Sequence, residues 1–328
     1  MRKHRILLLL IVGTVMLTFL GCSSESARGK NSNSITFEND RDANSDENLP
    51  ETDEPADIWN TSSSVNMYYR DAPVGYRMEF PENEKREFTI SVLAEFDGPE
   101  TELLTRVFVI QDGKPVDFEW DNEKSTNCYY DFVLETGKNS NHNIAFDMNS
   151  SLHSVFVYLD IYTDYKPKES DKIFNMALGY NIYNESLDKS ALPETFLGES
   201  YLAAGGDFFE SDFGNDEYVD NYGYLSDDHR NKYVDLNRDL FLKCCYKTNE
   251  KWYVMLECDG EFIPAFDDGC YGIVSCANGT EVFQKRIDNS LFEKGEHVIK
   301  VIGFPFWLGE NVETEPLFNM SETIFARK

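Results

Sequence analysis

The sequence predicts an all-β protein whose body is two tandem immunoglobulin-like β-sandwich domains. Short runs of β-branched and aromatic residues, tight-turn dipeptides between them, and an internal repeat at offsets of 144 to 152 carry that reading.

The runs are Phe88–Leu93, Val107–Ile110, Cys128–Leu134, Asn143–Asp147 and Ser154–Tyr162. Their side chains suit a pleated, half-buried surface, so each is a predicted strand. Asp97-Gly98, Asp112-Gly113, Asp259-Gly260 and Asn278-Gly279 supply the positive φ that two-residue hairpins require. No long stretch with helical periodicity competes, and only Asp188–Leu202 has room for a short helix.

Without gaps, His153–Met176 aligns on His297–Met320, matching His153 with His297, Val157 with Val301, and Phe174-Asn175-Met176 with Phe318-Asn319-Met320. Upstream, Val107–Gly113 falls on Val254–Gly260 at an offset of 147, and Arg86–Ile90 on Arg238–Leu242 at 152. The order of the matches is kept. Final strands are expected over Phe174–Tyr183 and Phe318–Phe325. Units of this size, with about seven short strands each, fit a sandwich better than a closed barrel, and each is large enough to fold alone.

The chain opens on a different texture. Arg2, Lys3 and Arg5 form a basic head, Ile6–Leu20 is almost wholly apolar, and Gly21-Cys22 closes the run. This resembles the signal peptide of bacterial lipoprotein precursors, most specifically in its Gly-Cys end; Phe19 departs from the usual Leu. The resemblance stops at Cys22. It implies cleavage before Cys22, a lipid on its sulfur, and a cell-membrane, lipid-anchored location on the extracytoplasmic face. The apolar run is also short of the roughly 20 residues that a spanning helix requires.

Residues 23–57 carry ten acidic and three basic residues, with Phe37 the only aromatic. Such a segment cannot bury enough apolar surface to offset the entropy of ordering, and is expected to be a disordered tether. The expected organisation is a signal over 1–21, a lipidated cysteine and tether over 22–57, a first sandwich over 58–190, a connector over 191–204, and a second sandwich over 205–328.

With 59 acidic against 30 basic residues the formal charge is −29, and three of the bases lie in the first five residues. Nucleic acid is therefore not an expected partner, because phosphate binding requires clustered Lys and Arg and no basic stripe occurs. The charge also repels an anionic envelope.

After Cys22 the cysteines are Cys128, Cys244, Cys245, Cys258, Cys270 and Cys276. Cys244 and Cys245 are adjacent on a predicted strand and so point to opposite faces. Cys258, Cys270 and Cys276 are candidate disulfide partners in an oxidising exterior, with buried thiols the alternative. The sequence shows no Cys-x-x-Cys pair and no His at ligand spacing from these cysteines, so no zinc site is expected.

Catalytic motifs are absent: there is no His-Glu-x-x-His, Gly-x-Ser-x-Gly, phosphate loop or dinucleotide fingerprint. Ser186-Leu-Asp-Lys189 spells Ser-x-x-Lys without its companion elements. Asp207–Asp228 stands out, with eight carboxylates, six aromatics and no base. Its Asp212, Asp216, Glu217, Asp220, Asp227 and Asp228 are candidates for a cation or ligand. Ca²⁺ is the one cofactor open to them, and an acidic connector the plainer reading. The leading functional expectation is a non-catalytic surface lipoprotein binding an envelope protein or glycan. An envelope enzyme of glycan hydrolase type using a carboxylate pair, and a structural spacer for a membrane assembly, are the alternatives.

Overall fold

Strands form where β-branched and aromatic residues run together, and the computed structural model describes them over residues 59–97, 102–161, 177–187, 199–202, 210–214, 234–245, 250–267, 269–275, 281–307, 319–320 and 324–328. Cys22, the tether, and most of the acidic segment lie outside the described residues. All of these described stretches belong to one compact unit, Asp53–Lys328.

The first half contributes β1 (Trp59–Tyr69), β2 (Ala72–Pro73), β3 (Arg77–Met78), β4 (Glu84–Asp97), β5 (Glu102–Gln111) and β6 (Lys114–Val116). There follow β7 (Glu119–Trp120), β8 (Glu123–Lys124), β9 (Tyr129–Glu135), β10 (Ser140–Met148), β11 (Ser154–Ile161) and β12 (Ala177–Asn184). One sheet runs β2-β1-β4-β10-β7-β8; the other runs β3-β12-β11-β5-β6, with β9 also on β5. In immunoglobulin lettering these are A-B-E-D against G-F-C, so the expected all-β sandwich is present with its immunoglobulin-like strand order.

The second half contributes β13 (Glu199–Leu202), β14 (Glu210–Gly214), β15 (Val234–Asp235), β16 (Leu240–Cys245), β17 (Lys251–Cys258) and β18 (Glu261–Phe262). Its remaining strands are β19 (Tyr271–Ser275), β20 (Glu281–Ile287), β21 (Glu296–Trp307), β22 (Asn319–Met320) and β23 (Ile324–Arg327). They form β13-β20-β16-β14 and β15-β23-β21-β17-β18, with β19 on β17 and β22 on β21. Strand by strand, β16, β17, β20, β21 and β23 take the places of β4, β5, β10, β11 and β12. Even the parallel edge pair recurs, β3 on β12 and β15 on β23.

The differences from sequence expectation are local. Glu199–Leu202, expected in the connector and in a short helix, is strand β13 paired with β20. It occupies the edge that β7 occupies in the first half. Of the expected final strands, the first carries β12 from Ala177 onward and the second carries β22 and the start of β23; Phe174–Met176 and Phe318 lie outside the described residues.

Among the described residues, three cores separate four sheets. Phe88, Ile90 and Val92 of β4 meet Val107 and Val109 of β5 and Val155, Val157 and Leu159 of β11 in the first. Leu240 and Leu242 of β16 meet Trp252, Val254 and Leu256 of β17 and Ile299 and Val301 of β21 in the second. The third lies between the halves: Phe108, Ile110, Phe156 and Tyr158 against Tyr253, Met255, Ile302, Phe304 and Phe306. Alternate side chains of β5, β11, β17 and β21 therefore enter different cores. A strand covered on both faces needs apolar residues at successive positions, and all eight residues of β11 are buried.

Candidate functional site

The densest chemistry in the described residues lies inside the third core. β11 carries Phe156, Tyr158 and Asp160 toward β21, which answers with Phe304, Ile302 and Lys300. Phe156 stacks on Phe304 at 4.6 Å, and Asp160 pairs with Lys300, so residue numbers rise on one strand as they fall on the other. Glu257, from β17, lies 3.6 Å from the Lys300 ammonium and accepts a 2.8 Å hydrogen bond from the Tyr158 hydroxyl.

All four polar residues are essentially inaccessible, Asp160 at 0%, Glu257 at 1% and Lys300 at 3% exposure. Two carboxylates face a single ammonium. Burial, and after it the Glu257 charge, pushes the Asp160 carboxyl well above the usual carboxylate range. Burial works against the Lys300 cation, but Asp160 and Glu257 outweigh it and raise its value. Asp160 is thus the member of the cluster whose charged form burial opposes, while Lys300 is held as a cation beside it.

Further polar ties cross between the halves. Arg106 holds Asp131 by two bonds of 2.7 and 2.9 Å, lies 3.6 Å over the Tyr129 ring, and donates to the Gly260 carbonyl at 3.0 Å. Asn181 donates to the Pro305 carbonyl at 2.6 Å. Gly113, at φ +77°, sits so close to Tyr271 that an added Cβ would lie 2.5 Å from the ring's Cγ. Gly113→Ala is therefore expected to cost about 2–4 kcal/mol, from overpacking and a left-handed backbone. Urea unfolding measures it, and an unchanged midpoint would contradict this seating of Tyr271.

Each half also carries an Asp-Gly turn clasped to a neighbouring strand of its sheet, β11 in the first and β21 in the second. Asp112 and Asp259 have φ of 47° and 52°, and the glycines that follow 77° and 79°. The Asp112 carboxylate accepts from the His153 and Ser154 backbone N–H groups at 2.9 and 3.0 Å and meets His153 Nδ1 at 3.0 Å. Asp259 accepts from the Val298 N–H at 2.9 Å and meets His297 Nδ1 at 2.8 Å. The repeat-equivalent histidines are thus partners of the repeat-equivalent turns.

On the outward face of the first sheet, Lys85 and Glu87 of β4, Glu119 of β7, Asn122, and Asn143 and Ala145 of β10 line an open depression of about 290 Å³. Lys85 and Glu119 pair across it at 2.6 Å, and this hydrogen bond holds the Glu119 carboxyl below its usual value.

Of the candidates named from sequence, Asp212 lies on β14 in register with Lys243 of β16. Asp216, Glu217, Asp220, Asp227 and Asp228 lie outside the described residues, as do Cys22 and Cys276. Among the described residues, Cys258 and Cys270 are not joined to each other. Cys270 instead points back along its own loop and meets the Phe262 carbonyl at 3.7 Å, and its burial raises its thiol above the usual value. Cys258, Asp259 and His297, three donor types with no ligand spacing in sequence, come together at the second clasp. The repeat match of His153 with His297 and of Asp112 with Asp259 held the signal. Only the strand register unites them.

No protein-family model and no curated protein matches the chain. Among solved structures it is similar to a chain of a chaperone–tip adhesin complex of CFA/I fimbriae biogenesis, at 8% identity and TM-score 0.21, covering 79% of this chain and 98% of that one. An anti-sigma factor domain-containing protein from Clostridium clariflavum gives 12% and 0.18, with 83% and 100% covered. A tip adhesin from Pseudomonas aeruginosa gives 9% and 0.18, with 84% and 99% covered. At such scores the likeness transfers neither fold nor function.

Proposed function

We propose that the chain is a lipid-anchored, extracytoplasmic, non-catalytic module that presents a rigid double sandwich to a protein or glycan partner. The observation that carries this reading is where the charged chemistry sits. Asp160, an acid of the described residues whose carboxyl burial raises, is sealed with Glu257 and Lys300 between the halves, where it can hold the body rigid and no substrate reaches it.

An acid pair for glycan hydrolysis needs a raised general acid beside a groove. In the outer depression the perturbed acid, Glu119, is shifted the opposite way. Rigid β-sandwiches, by contrast, serve as scaffolds for exposed faces and loops that bind. The Gly21-Cys22 end and the acidic 23–57 segment fit a body held off the surface that anchors it.

Metabolic labelling with palmitate tests the anchor. The full chain is expected to carry label and to sediment with membranes, and Cys22→Ser to lose both. Unlabelled wild-type chain would overturn it. Release of reducing ends from envelope glycans by the purified chain, lost in a Glu87→Gln, Glu119→Gln variant, would overturn the non-catalytic reading.

A further inference from the structure

β17 ends at Cys258 and turns through Asp259-Gly260, while β21 enters beside it at Glu296-His297. In the β17–β21 register Cys258 stands opposite Ile299, which brings Asp259 level with His297 and Val298. One donor atom from each of Cys258, Asp259 and His297 lies within 4.8 Å of the other two. We propose that these three side chains form a binding site for a divalent cation of the zinc class.

The histidine has acceptors on both sides. Its Nε2 lies 3.0 Å from the Glu293 carbonyl and its Nδ1 2.8 Å from Asp259 Oδ2. A carbonyl only accepts, so Nε2 carries hydrogen and a neutral ring turns its Nδ1 lone pair onto the carboxylate oxygen. Two lone pairs at that separation need a positive species between them, either a proton or a metal ion.

The surroundings suit the metal. A backbone carbonyl on the far ring nitrogen fixes the tautomer and aim of a ligating histidine, and the Val298 N–H on Asp259 Oδ1 fixes the carboxylate in the same way. Zinc binds thiolate, imidazole and carboxylate at about 2.0–2.3 Å, which places tetrahedral donors roughly 3.3–3.7 Å apart, within reach of a small side-chain adjustment here. The Cys258 thiol enters as thiolate and its proton passes to solvent. A fourth position is left for water.

The first half shows which part of this arrangement the fold itself requires. Asp112 and His153 make the same clasp, but Gln111 stands at the place of Cys258 and donates its amide to the Asp147 carbonyl at 2.5 Å. The clasp is common to both halves, and the sulfur donor belongs to one. A turn device does not need a thiol, whereas a borderline-soft cation favours one.

The test is a titration of the reduced full chain with Co²⁺, followed by Zn²⁺. A thiolate-to-cobalt charge-transfer band is expected, and Zn²⁺ should displace it. Cys258→Gln copies the first half and keeps the clasp. It should lose the band and weaken Zn²⁺ binding at least about tenfold, with an unchanged metal-free unfolding midpoint. Cys270→Ser and His153→Gln should keep the band. Absence of the band in the wild-type chain, or its survival in Cys258→Gln, would overturn the site.

Discussion

Lys300→Met is expected to destabilise the protein by about 3–5 kcal/mol, the cost of removing one member of a buried ionic group. The substitution is close in volume, so packing changes little. What remains is Asp160 beside Glu257 at 0% and 1% exposure, with no cation to answer either. Without the ammonium, the two carboxyls must either take up protons or bear charge in an apolar interior, and each course is costly. Adding Asp160→Asn and Glu257→Gln should recover most of the loss, since neutral groups of the same shape remove the stranded charge. Chemical denaturation reads both results, and recovery failing in the triple variant would mean that Lys300 acts through packing instead.

Phe304→Ala should cost a similar amount, about 3–5 kcal/mol, through the cavity it leaves. Phe304 is fully buried, stacks on Phe156 of the other half at 4.6 Å and touches Tyr253 at 5.5 Å. Because the lost contacts belong to both halves, the unfolding midpoint should fall equally whether it is followed in the first sandwich or the second. A fall confined to the second would show that Phe304 serves only its own half.

These two residues expose the logic of the interface. At the repeat offset of 144, Phe156 is equivalent to Lys300 and Asp160 to Phe304. Position 156 meets 304 while 160 meets 300, so the halves face one another as the subunits of a two-fold dimer would. Their chemistry has diverged. The first half packed on a copy of itself would oppose Phe156 to Asp160, and the second would oppose Lys300 to Phe304. Either pairing strands a buried charge against a ring, so the ionic group favours the unlike pairing over both like ones.

The first core was legible in sequence because its strands show period two, as in Phe88-Thr-Ile-Ser-Val, and the turn at Asp112-Gly113 has the left-handed backbone that its residues predict. The third core was less so. Val155–Ile161 reads as a strand in either case, but its apolar residues at successive positions from Val155 to Leu159 are the mark of burial on both faces, and Asp160 after them marks a partner charge supplied from 140 positions away. Neither partner nor distance is written locally. Two-residue strands such as β2, β3 and β7 carry no periodicity to detect. The Cys258, Asp259 and His297 group was invisible to ligand-spacing rules because strand pairing assembles it, not a loop or helix turn.

Aromatic stacking and a sealed ionic group make the two halves a single mechanical body. Scanning calorimetry of the full chain tests this most directly, because a chain of this size would ordinarily unfold in stages if its halves were independent. The expected result is one endotherm whose calorimetric and van't Hoff enthalpies agree, with Lys300→Met lowering the whole peak. Two separable endotherms, of which Lys300→Met moves only one, would contradict it.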